Sequence, residues 1–251
     1  MKDFNIITRG HNSKEFNLIC TKHNAYSINP ISYEEVAVPG RDCPFIRSSD
    51  TRARFNLEAE VFLNSTDILS DSIKIRNWLA QDLEDLKIEL TNVPGYYLKG
   101  FLGNKLDISE IINQTGHATL IFNCQPYLFK NDGDSYVTVI SSSSTTSATI
   151  TNPGNVCKPL IKITCTPNSS NEVAFTINNQ EVLIKYTGGQ SYTFYIDCDL
   201  MDMYSYDASN NIVLENSKMY SDFPVLESRT NTITVTKGTI SKFEIMPRWR
   251  V

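Results

Sequence analysis

Three aspartates near the end of a predicted strand come closest to the spacing of a reactive site: Asp197, Asp199 and Asp202. Carboxylates clustered on one loop are the ligands that hard cations such as Ca²⁺ prefer. An EF-hand loop, however, needs Asp or Asn at its fifth position and Gly at its sixth, where this chain has Met201 and Asp202. The pattern therefore favours a strand end that meets solvent over a metal site.

The other side chains that could act in catalysis lack the neighbours that such chemistry requires. Ser191 lies in the sequence GQSYT, which has no second glycine for a nucleophile elbow and precedes a predicted strand. His11, His23 and His117 include no pair spaced by four residues, and no phosphate-binding glycine motif occurs. We therefore predict no catalytic, cofactor-binding or metal-binding residue and no enzymatic activity, with a hydrolase as the weakest alternative.

The cysteines could form three disulfides, since the chain has six of them. Cys124, Cys165 and Cys198 are each in phase with the apolar face of a predicted strand, and there is no C-x-x-C motif. A chain of this size buries a core large enough to be stable without disulfides. We expect these three cysteines to be small buried hydrophobic residues.

Composition argues against several kinds of partner. The chain has 251 residues, a formal net charge of −5, 41% hydrophobic and 20% charged residues. Scattered basic residues and a negative net charge argue against nucleic-acid recognition. No apolar run approaches the roughly 18 residues that a membrane-spanning helix needs. The polar start lacks the apolar core of a secretory signal, which indicates synthesis in a cytosol.

A strand that closes the first half of the chain separates two regions of different pattern. Along residues 116–132, apolar and polar residues alternate until a Gln-Pro pair ends the strand and a polar turn follows. Residues 1–132 should form one domain of several strands with one helix, and its clearest strand is at 55–63. Residues 133–251 contain short strands separated by Gly, Asn and Pro, which predicts an antiparallel β-sandwich or jelly roll.

The predicted helix covers residues 71–90. The serines and aspartate at 70–72 offer oxygens for its N-cap. Its large hydrophobic residues recur at helical spacing, and they are Ile75, Trp78, Leu79, Leu83 and Leu86. Burial of this stripe against the sheet, at about 1.5–3 kcal/mol per large side chain, should hold the helix in place.

Exposed aromatic residues in an all-β domain can stack on sugar rings. Four tyrosines are candidates for glycan contacts, and they are Tyr195, Tyr204, Tyr206 and Tyr220. The alternative interpretation is that they are ordinary amphipathic residues at the rim of the domain.

Four short motifs occur in the order in which a known family has them. They are VAVPGRD at 36–42, similar to V-P-G-R-D-G; FNCQPY at 122–127, similar to F-x-C-x-P; NPG at 152–154, similar to N-x-G; and PRWR at 247–250, similar to a terminal R-W. Cys43 and Pro44 depart from the family pattern after the first motif. With these motifs the chain resembles the distal tail proteins of long-tailed phages, the siphovirus tail-component family.

The resemblance implies a structural protein of the virion tail that needs no cofactor. In this family a split-barrel-like N-terminal domain with a helix forms a ring of six copies between the tail tube and the baseplate or tail tip. The C-terminal domain is a sandwich like that of galectins and carbohydrate-binding modules. The implied partners are other copies of the chain, the tail tube protein and tail-associated or baseplate proteins, with neither nucleic-acid sequence recognition nor a membrane.

Within that family the ring contacts should come from the N-terminal domain. The candidate residues are Val38, Pro39, Gly40, Arg41 and Asp42, together with the neighbouring strand at 54–63. The alternative function is a carbohydrate-binding module whose second domain adheres to host cell-wall glycan.

Overall fold

The computed structural model describes residues 3–27, 31–79, 84–103 and 117–251. Strands dominate, and the described ranges contain a single α-helix, so the prediction of a mainly β fold is confirmed. The chain forms two compact units, Met1–Leu128 and Phe129–Val251, and residues 129–132 therefore belong to the second unit. Within the described ranges, no helix combines the length and the hydropathy needed to cross a lipid bilayer.

The first unit consists of an antiparallel sheet, a separate hairpin and the helix. Its elements in chain order are β1 (Ile6–Thr8), β2 (His11–Asn12), a 3₁₀ turn (Ser13–Phe16), β3 (Leu18–His23), β4 (Ile31–Val36), β5 (Phe45–Arg52), β6 (Phe55–Leu63), α1 (Ile68–Leu79), β7 (Leu86–Leu90), β8 (Tyr96–Leu102) and β9 (His117–Cys124). The sheet has the order β2-β1-β7-β8-β9-β6-β3, while β4 and β5 pair with each other in a sheet of their own.

Strand β6 confirms the clearest strand prediction. Leu57, Ala59 and Val61 are buried, whereas Glu58 and Glu60 between them are exposed. Because successive side chains of a strand point to opposite faces, this alternation gives the sheet one apolar and one acidic side along β6. The apolar side packs in the core of the unit.

The predicted helix of residues 71–90 is wrong in its second half. Helix α1 ends at Leu79, and β7 occupies Leu86–Leu90, where it pairs with β1 on one side and β8 on the other. Ile88 and Leu90 alternate with charged residues, so this segment satisfies a period of two as well as the helical spacing. Leu83 of the predicted stripe lies outside the described residues.

The start of α1 also differs from the prediction. The helix begins at Ile68, and the carboxylate of Asp67 accepts a hydrogen bond of 3.2 Å from the backbone N–H of Ser70, as an N-cap side chain does. Ile75, Trp78 and Leu79 are buried in the core, as the stripe predicted.

The second unit is a sandwich of two antiparallel sheets. The unit begins with the short strand β10 (Phe129–Lys130), which belongs to neither of these sheets. The strands of the sandwich are β11 (Val137–Ile140), β12 (Ser147–Asn152), β13 (Leu160–Thr166), β14 (Glu172–Ile177), β15 (Gln180–Lys185), β16 (Tyr192–Asp197), β17 (Asp202–Tyr206), β18 (Ile212–Leu214), β19 (Arg229–Lys237) and β20 (Thr239–Met246). The larger sheet has the order β11-β20-β13-β16-β17-β18, and the smaller has the order β12-β19-β14-β15.

The core of the second unit lies between its two sheets. Phe175 on β14 and Phe243 on β20 are fully buried, and their rings meet edge to face at 5.0 Å. Aromatic rings prefer such offset or perpendicular arrangements, so this pair joins the two inner faces closely. The prediction of an antiparallel sandwich is therefore confirmed.

The cysteines are free thiols. Cys124, Cys165 and Cys198 are buried as predicted, and burial raises the pKa of the Cys124 and Cys165 thiols to about 12. These thiols therefore stay protonated at neutral pH and contribute apolar packing, whereas Cys43 is exposed.

Candidate functional site

The hairpin of β4 and β5 is the first candidate interaction surface, and we call residues 31–52 the arm. Its strands pair with each other and with no other strand among the described residues. Several of its large hydrophobic side chains are exposed, and they are Ile31, Tyr33, Val36, Val38, Phe45 and Ile46. An isolated two-stranded hairpin is at best marginally stable in water. Exposed apolar residues on such a hairpin make it a candidate contact surface.

The tip of the arm contains the residues predicted as ring contacts. The backbone N–H of Arg41 donates to the carbonyl of Val38 at 3.1 Å, which closes a turn with Pro39 and Gly40 at its centre. Gly40 has a φ of +83°, the left-handed conformation that favours glycine at the third position of a type II turn. All five residues, Asp42 included, are exposed. The structure therefore places them together in the exposed loop that connects β4 and β5.

Three of the four predicted glycan-contact tyrosines form a cluster on the outer face of the larger sheet. The rings of Tyr195 and Tyr204 stack nearly parallel, with centroids 5.2 Å apart and an interplanar angle of 7°. Tyr206 stands perpendicular to both, at 5.1 Å and 5.8 Å. Tyr220 lies elsewhere: its backbone N–H donates to the carbonyl of Leu183, on a strand of the smaller sheet.

The cross-strand register of the larger sheet explains this cluster. Tyr204 on β17 lies directly opposite Tyr195 on β16, which lies opposite Lys162 on β13, and Lys162 in turn lies opposite Glu244 on β20. Directly opposed residues of an antiparallel pair share a face, so one row of side chains crosses four strands. Leu214 on the edge strand β18 extends this row beyond Tyr204.

Two residues of this face that sequence reasoning missed are Tyr136 and Lys162. The Lys162 ammonium lies 5.6 Å from the ring centre of Tyr195 and 5.8 Å from that of Tyr136, within cation–π range, and 3.4 Å from the Glu244 carboxylate. The pKa values of Tyr136 and Tyr204 are raised to about 12, mainly by burial and to a smaller extent by the neighbouring tyrosines. Both hydroxyls therefore remain protonated hydrogen-bond donors at neutral pH.

The three aspartates Asp197, Asp199 and Asp202 each form a hydrogen bond or an ion pair with another side chain of the second unit. Asp197 accepts two hydrogen bonds of 2.8 Å from the Arg248 guanidinium and two more from backbone N–H groups of the following turn. Asp202 accepts a hydrogen bond of 2.8 Å from the Asn216 amide. The Asp199 carboxylate lies 3.9 Å from the ammonium of Lys158. Within the described ranges, no group of three His, Cys, Asp or Glu side chains has the geometry of a metal site.

Two of the motifs that carry the family resemblance meet in space. The backbone N–H of Asn155, next to the NPG motif, donates to the carbonyl of Arg250 in the terminal motif at 2.7 Å. A Cβ on Gly154 would lie 2.2 Å from that same carbonyl oxygen, so only glycine allows this approach. The buried Asn152 side chain accepts from the Gly154 N–H and donates to the carbonyls of Asn155 and Leu226. These hydrogen bonds therefore hold the segment at 152–155 against the C-terminal segment of the second unit.

Comparison with known proteins relates the fold to phage tails. No family model and no curated protein matches the sequence. The fold matches the crystal structure of the Dit protein (gp 19.1) of phage SPP1 with a TM-score of 0.72, at 16% identity over 100% of both chains. That protein is described as a paradigm of the hub adsorption apparatus in phages that infect Gram-positive bacteria. A chain of the phage P2 baseplate, in its activated conformation with Ca, matches with a TM-score of 0.51 at 10% identity over 97% of both chains. Across its whole length this chain therefore has the Dit fold that its motifs predicted.

Proposed function

We propose that the protein is a structural component of a phage tail, a hub at the distal end of the tail tube that connects it to the baseplate or tail tip. The observation that carries this proposal is the match to the SPP1 Dit protein over the whole of both chains. A fold shared along the full length of both chains supports a shared architectural role. The protein then acts through its surfaces and not through a reaction.

The hub is a ring of six copies. A ring requires a heterologous contact, in which two different patches of each subunit meet, and closure by rotation. The arm supplies one of these patches, because it presents exposed apolar side chains around the predicted contact residues 38–42. The acidic outer side of β6, with Glu58 and Glu60, lies on the same unit and is available to neighbouring copies.

The partners of this hub are the tail tube protein on one side and tail-associated or baseplate proteins on the other. The protein is then located in the virion tail after synthesis in the bacterial cytoplasm. A net charge of −5 is in keeping with protein partners rather than nucleic-acid sequence recognition or a membrane surface.

Light scattering and negative-stain electron microscopy of the full chain test the ring. We expect a closed particle with six times the mass of one chain, formed alone or on addition of the tail tube protein. A variant in which a short Gly-Ser linker replaces residues 31–52 should remain monomeric, because it lacks one of the two patches. A wild-type chain that stays monomeric at high concentration and with the tube protein present would refute the proposal.

A second candidate function is glycan binding by the second unit. It is favoured by one observation: Tyr195, Tyr204 and Tyr206 meet on one outer face together with Lys162. Saturation-transfer NMR of the full chain with cell-wall polysaccharide tests it, and Tyr206→Ala should abolish the transfer while Tyr220→Ala on the other sheet leaves it intact. Absence of transfer to the wild-type chain would exclude this function.

A further inference from the structure

Strand β18 is an apolar edge of the larger sheet. Its three residues, Ile212, Val213 and Leu214, are 60%, 41% and 64% exposed. It pairs with β17 on one side, and no other strand of the described residues pairs with its opposite side, which we call the open edge. Edge strands of soluble proteins usually carry charged residues, proline or a bulge that prevents a further strand from pairing. Strand β18 carries none of these.

The hydrogen-bond pattern shows which backbone groups face the open edge. Glu215, directly after the strand, donates its backbone N–H to the carbonyl of Met203 on β17 at 2.7 Å. In an antiparallel pair every second residue forms such bonds, so Val213 also directs its backbone groups to β17. The N–H and C=O groups of Ile212 and Leu214 therefore point away from the sheet, towards the open edge.

The other three edges of the sandwich are protected. Strand β11, at the far side of the larger sheet, has a register irregularity between Thr138 and Ile140, as a β-bulge produces. The chain after β18 covers β15, because Tyr220 donates its N–H to the carbonyl of Leu183 at 2.8 Å and Leu183 donates its N–H to the Ser221 hydroxyl at 3.1 Å. The exposed side chains of β12 are serine and threonine. Among the described strands of the sandwich, β18 is therefore the apolar edge left open to pairing.

The side chains next to the open edge favour an apolar strand. Leu214 lies directly opposite Tyr204 and Ile212 directly opposite Tyr206, so all four share the outer face of the sheet. An added strand would place every second side chain beside Ile212 and Leu214 on this face. β-branched apolar residues fit such a pleated, half-buried surface best.

Both ends of the open edge are acidic. Asp207, before the strand, accepts two hydrogen bonds of 2.8 Å from backbone N–H groups of its own loop. At the other end Asp202 accepts a hydrogen bond of 2.8 Å from the Asn216 amide. Amides are neutral, so these bonds leave both negative charges in place. Glu215 pairs with Lys218 at 2.6 Å and adds no net charge.

We propose that the open edge of β18 binds an extended segment of another protein, in which apolar residues alternate with polar ones and each end carries Lys or Arg. The segment adds a strand to the larger sheet through the backbone groups of Ile212 and Leu214, and its terminal cations lie near Asp202 and Asp207. A second copy of the chain is a poorer occupant. Antiparallel pairing of two β18 strands would bring the Asp207 end of one beside the Asp202 end of the other, and like charges repel.

This site lies within the second unit, so it does not depend on the proposed ring. In a tail hub the bound segment would belong to a neighbouring tail protein, and that assignment alone rests on the proposed function.

A dye-labelled peptide, acetyl-KTVTVTK-amide, tests the site by fluorescence anisotropy with the full chain. Leu214→Pro removes an N–H that points to the open edge but keeps the bonds to β17, since proline is tolerated where an edge strand faces solvent. We expect this variant to bind the peptide about tenfold more weakly than the wild type. Ile212→Pro removes the other outward N–H and serves as a second variant should the first fail to fold.

A proline on the smaller sheet is the matched control. Val235 donates its N–H to the carbonyl of Thr146, and this bond fixes the alternation along β12 so that the N–H of Thr149 also points away from its sheet. Thr149→Pro should therefore leave the peptide affinity unchanged. The peptide acetyl-ETVTVTE-amide should bind the wild type about tenfold more weakly than the lysine peptide, because its ends repel the two aspartates.

Four results would overturn the inference. They are absence of binding of the lysine peptide at millimolar concentration, equal binding to the wild type and to the folded proline variants, equal binding of the two peptides, and a wild-type dimer that Leu214→Pro dissociates, which would assign the edge to a second copy. Light scattering of the same samples keeps the two proposals apart. A chain that binds the lysine peptide but forms no ring, even with the tube protein, would remove the ring and leave this site.

Discussion

Replacement of Arg248 by methionine tests how much the ion pair between Arg248 and Asp197 stabilises the second unit. The Arg248 guanidinium donates to both carboxylate oxygens of Asp197, each at 2.8 Å, and links the segment after β20 to the end of β16. The Asp197 side chain is 6% exposed and that of Arg248 is 21% exposed. Methionine keeps an unbranched apolar stem but leaves the aspartate without its cationic partner.

The expected loss follows from these contacts. Removal of one partner of a buried ion pair costs about 3–5 kcal/mol, because the other charge stays buried and uncompensated. Asp197 retains two backbone hydrogen bonds, from Asp199 at 3.0 Å and Leu200 at 3.1 Å, and only the Arg248 side of the pair is partly exposed. We therefore expect Arg248→Met to lower the free energy of unfolding by about 3 kcal/mol and Tm by about 6–12 °C for a chain of this size.

Urea unfolding at pH 7, followed by the fluorescence of the buried Trp249 beside the substituted residue, measures this loss. The double variant Arg248→Met with Asp197→Asn should be more stable than Arg248→Met alone, since the asparagine removes the unpaired charge but can still accept from both backbone amides. A loss below about 1 kcal/mol, the scale of an exposed ion pair, would refute the reasoning. So would a double variant less stable than the single one.

Three further predictions follow from the same structure. Gly154→Ala should destabilise the chain by about 1–3 kcal/mol in urea unfolding, because its Cβ would collide with the Arg250 carbonyl oxygen. Burial alone would raise the pKa of Asp197, but Arg248 and the backbone amides lower it below its ordinary value. Stability from this group is therefore present above about pH 4 and lost as pH falls through the lower folded pKa, so calorimetry between pH 2 and 5 should find a shallower decline in Asp197→Asn. Ile88→Ala should cost about 2–5 kcal/mol in urea unfolding, since Ile88 is a fully buried strand residue.

Local pattern predicted the strands and failed at the end of the helix. The strand β6 could be read directly, because its alternation of apolar and acidic residues is compatible with one period alone. Leu86 extends the helical stripe that begins at Ile75 and also starts an alternating strand, so the segment from Leu86 to Leu90 satisfies both periods. Pairing of β7 with β1 and β8 decides for the strand, and this tertiary contact involves residues distant in sequence.

The tyrosine cluster shows a different limit. Tyr195, Tyr204, Tyr206 and Tyr220 have the same residue type and similar local surroundings in sequence, yet the first three meet on the larger sheet while Tyr220 lies beside the smaller one. Which strands pair, and in which register, is fixed by the packing of the whole sandwich and cannot be read from any one segment. The contribution of Lys162 to this face follows from the same register.

The residues that gave the resemblance and the residues that should recognise partners obey different physical constraints. Buried hydrogen bonds require the side chain of Asn152, and the backbone near Gly154 is too close for any Cβ. Few other residues fit at these positions, so the motif can be recognised in a sequence. Tyr33 and Glu35 on the arm are exposed, so burial in the fold does not constrain them. A fold shared at 16% identity can therefore depend on a few such buried or tightly packed positions while its exposed surfaces differ. We therefore expect substitutions on the arm, rather than in the motifs, to change assembly without changing the fold.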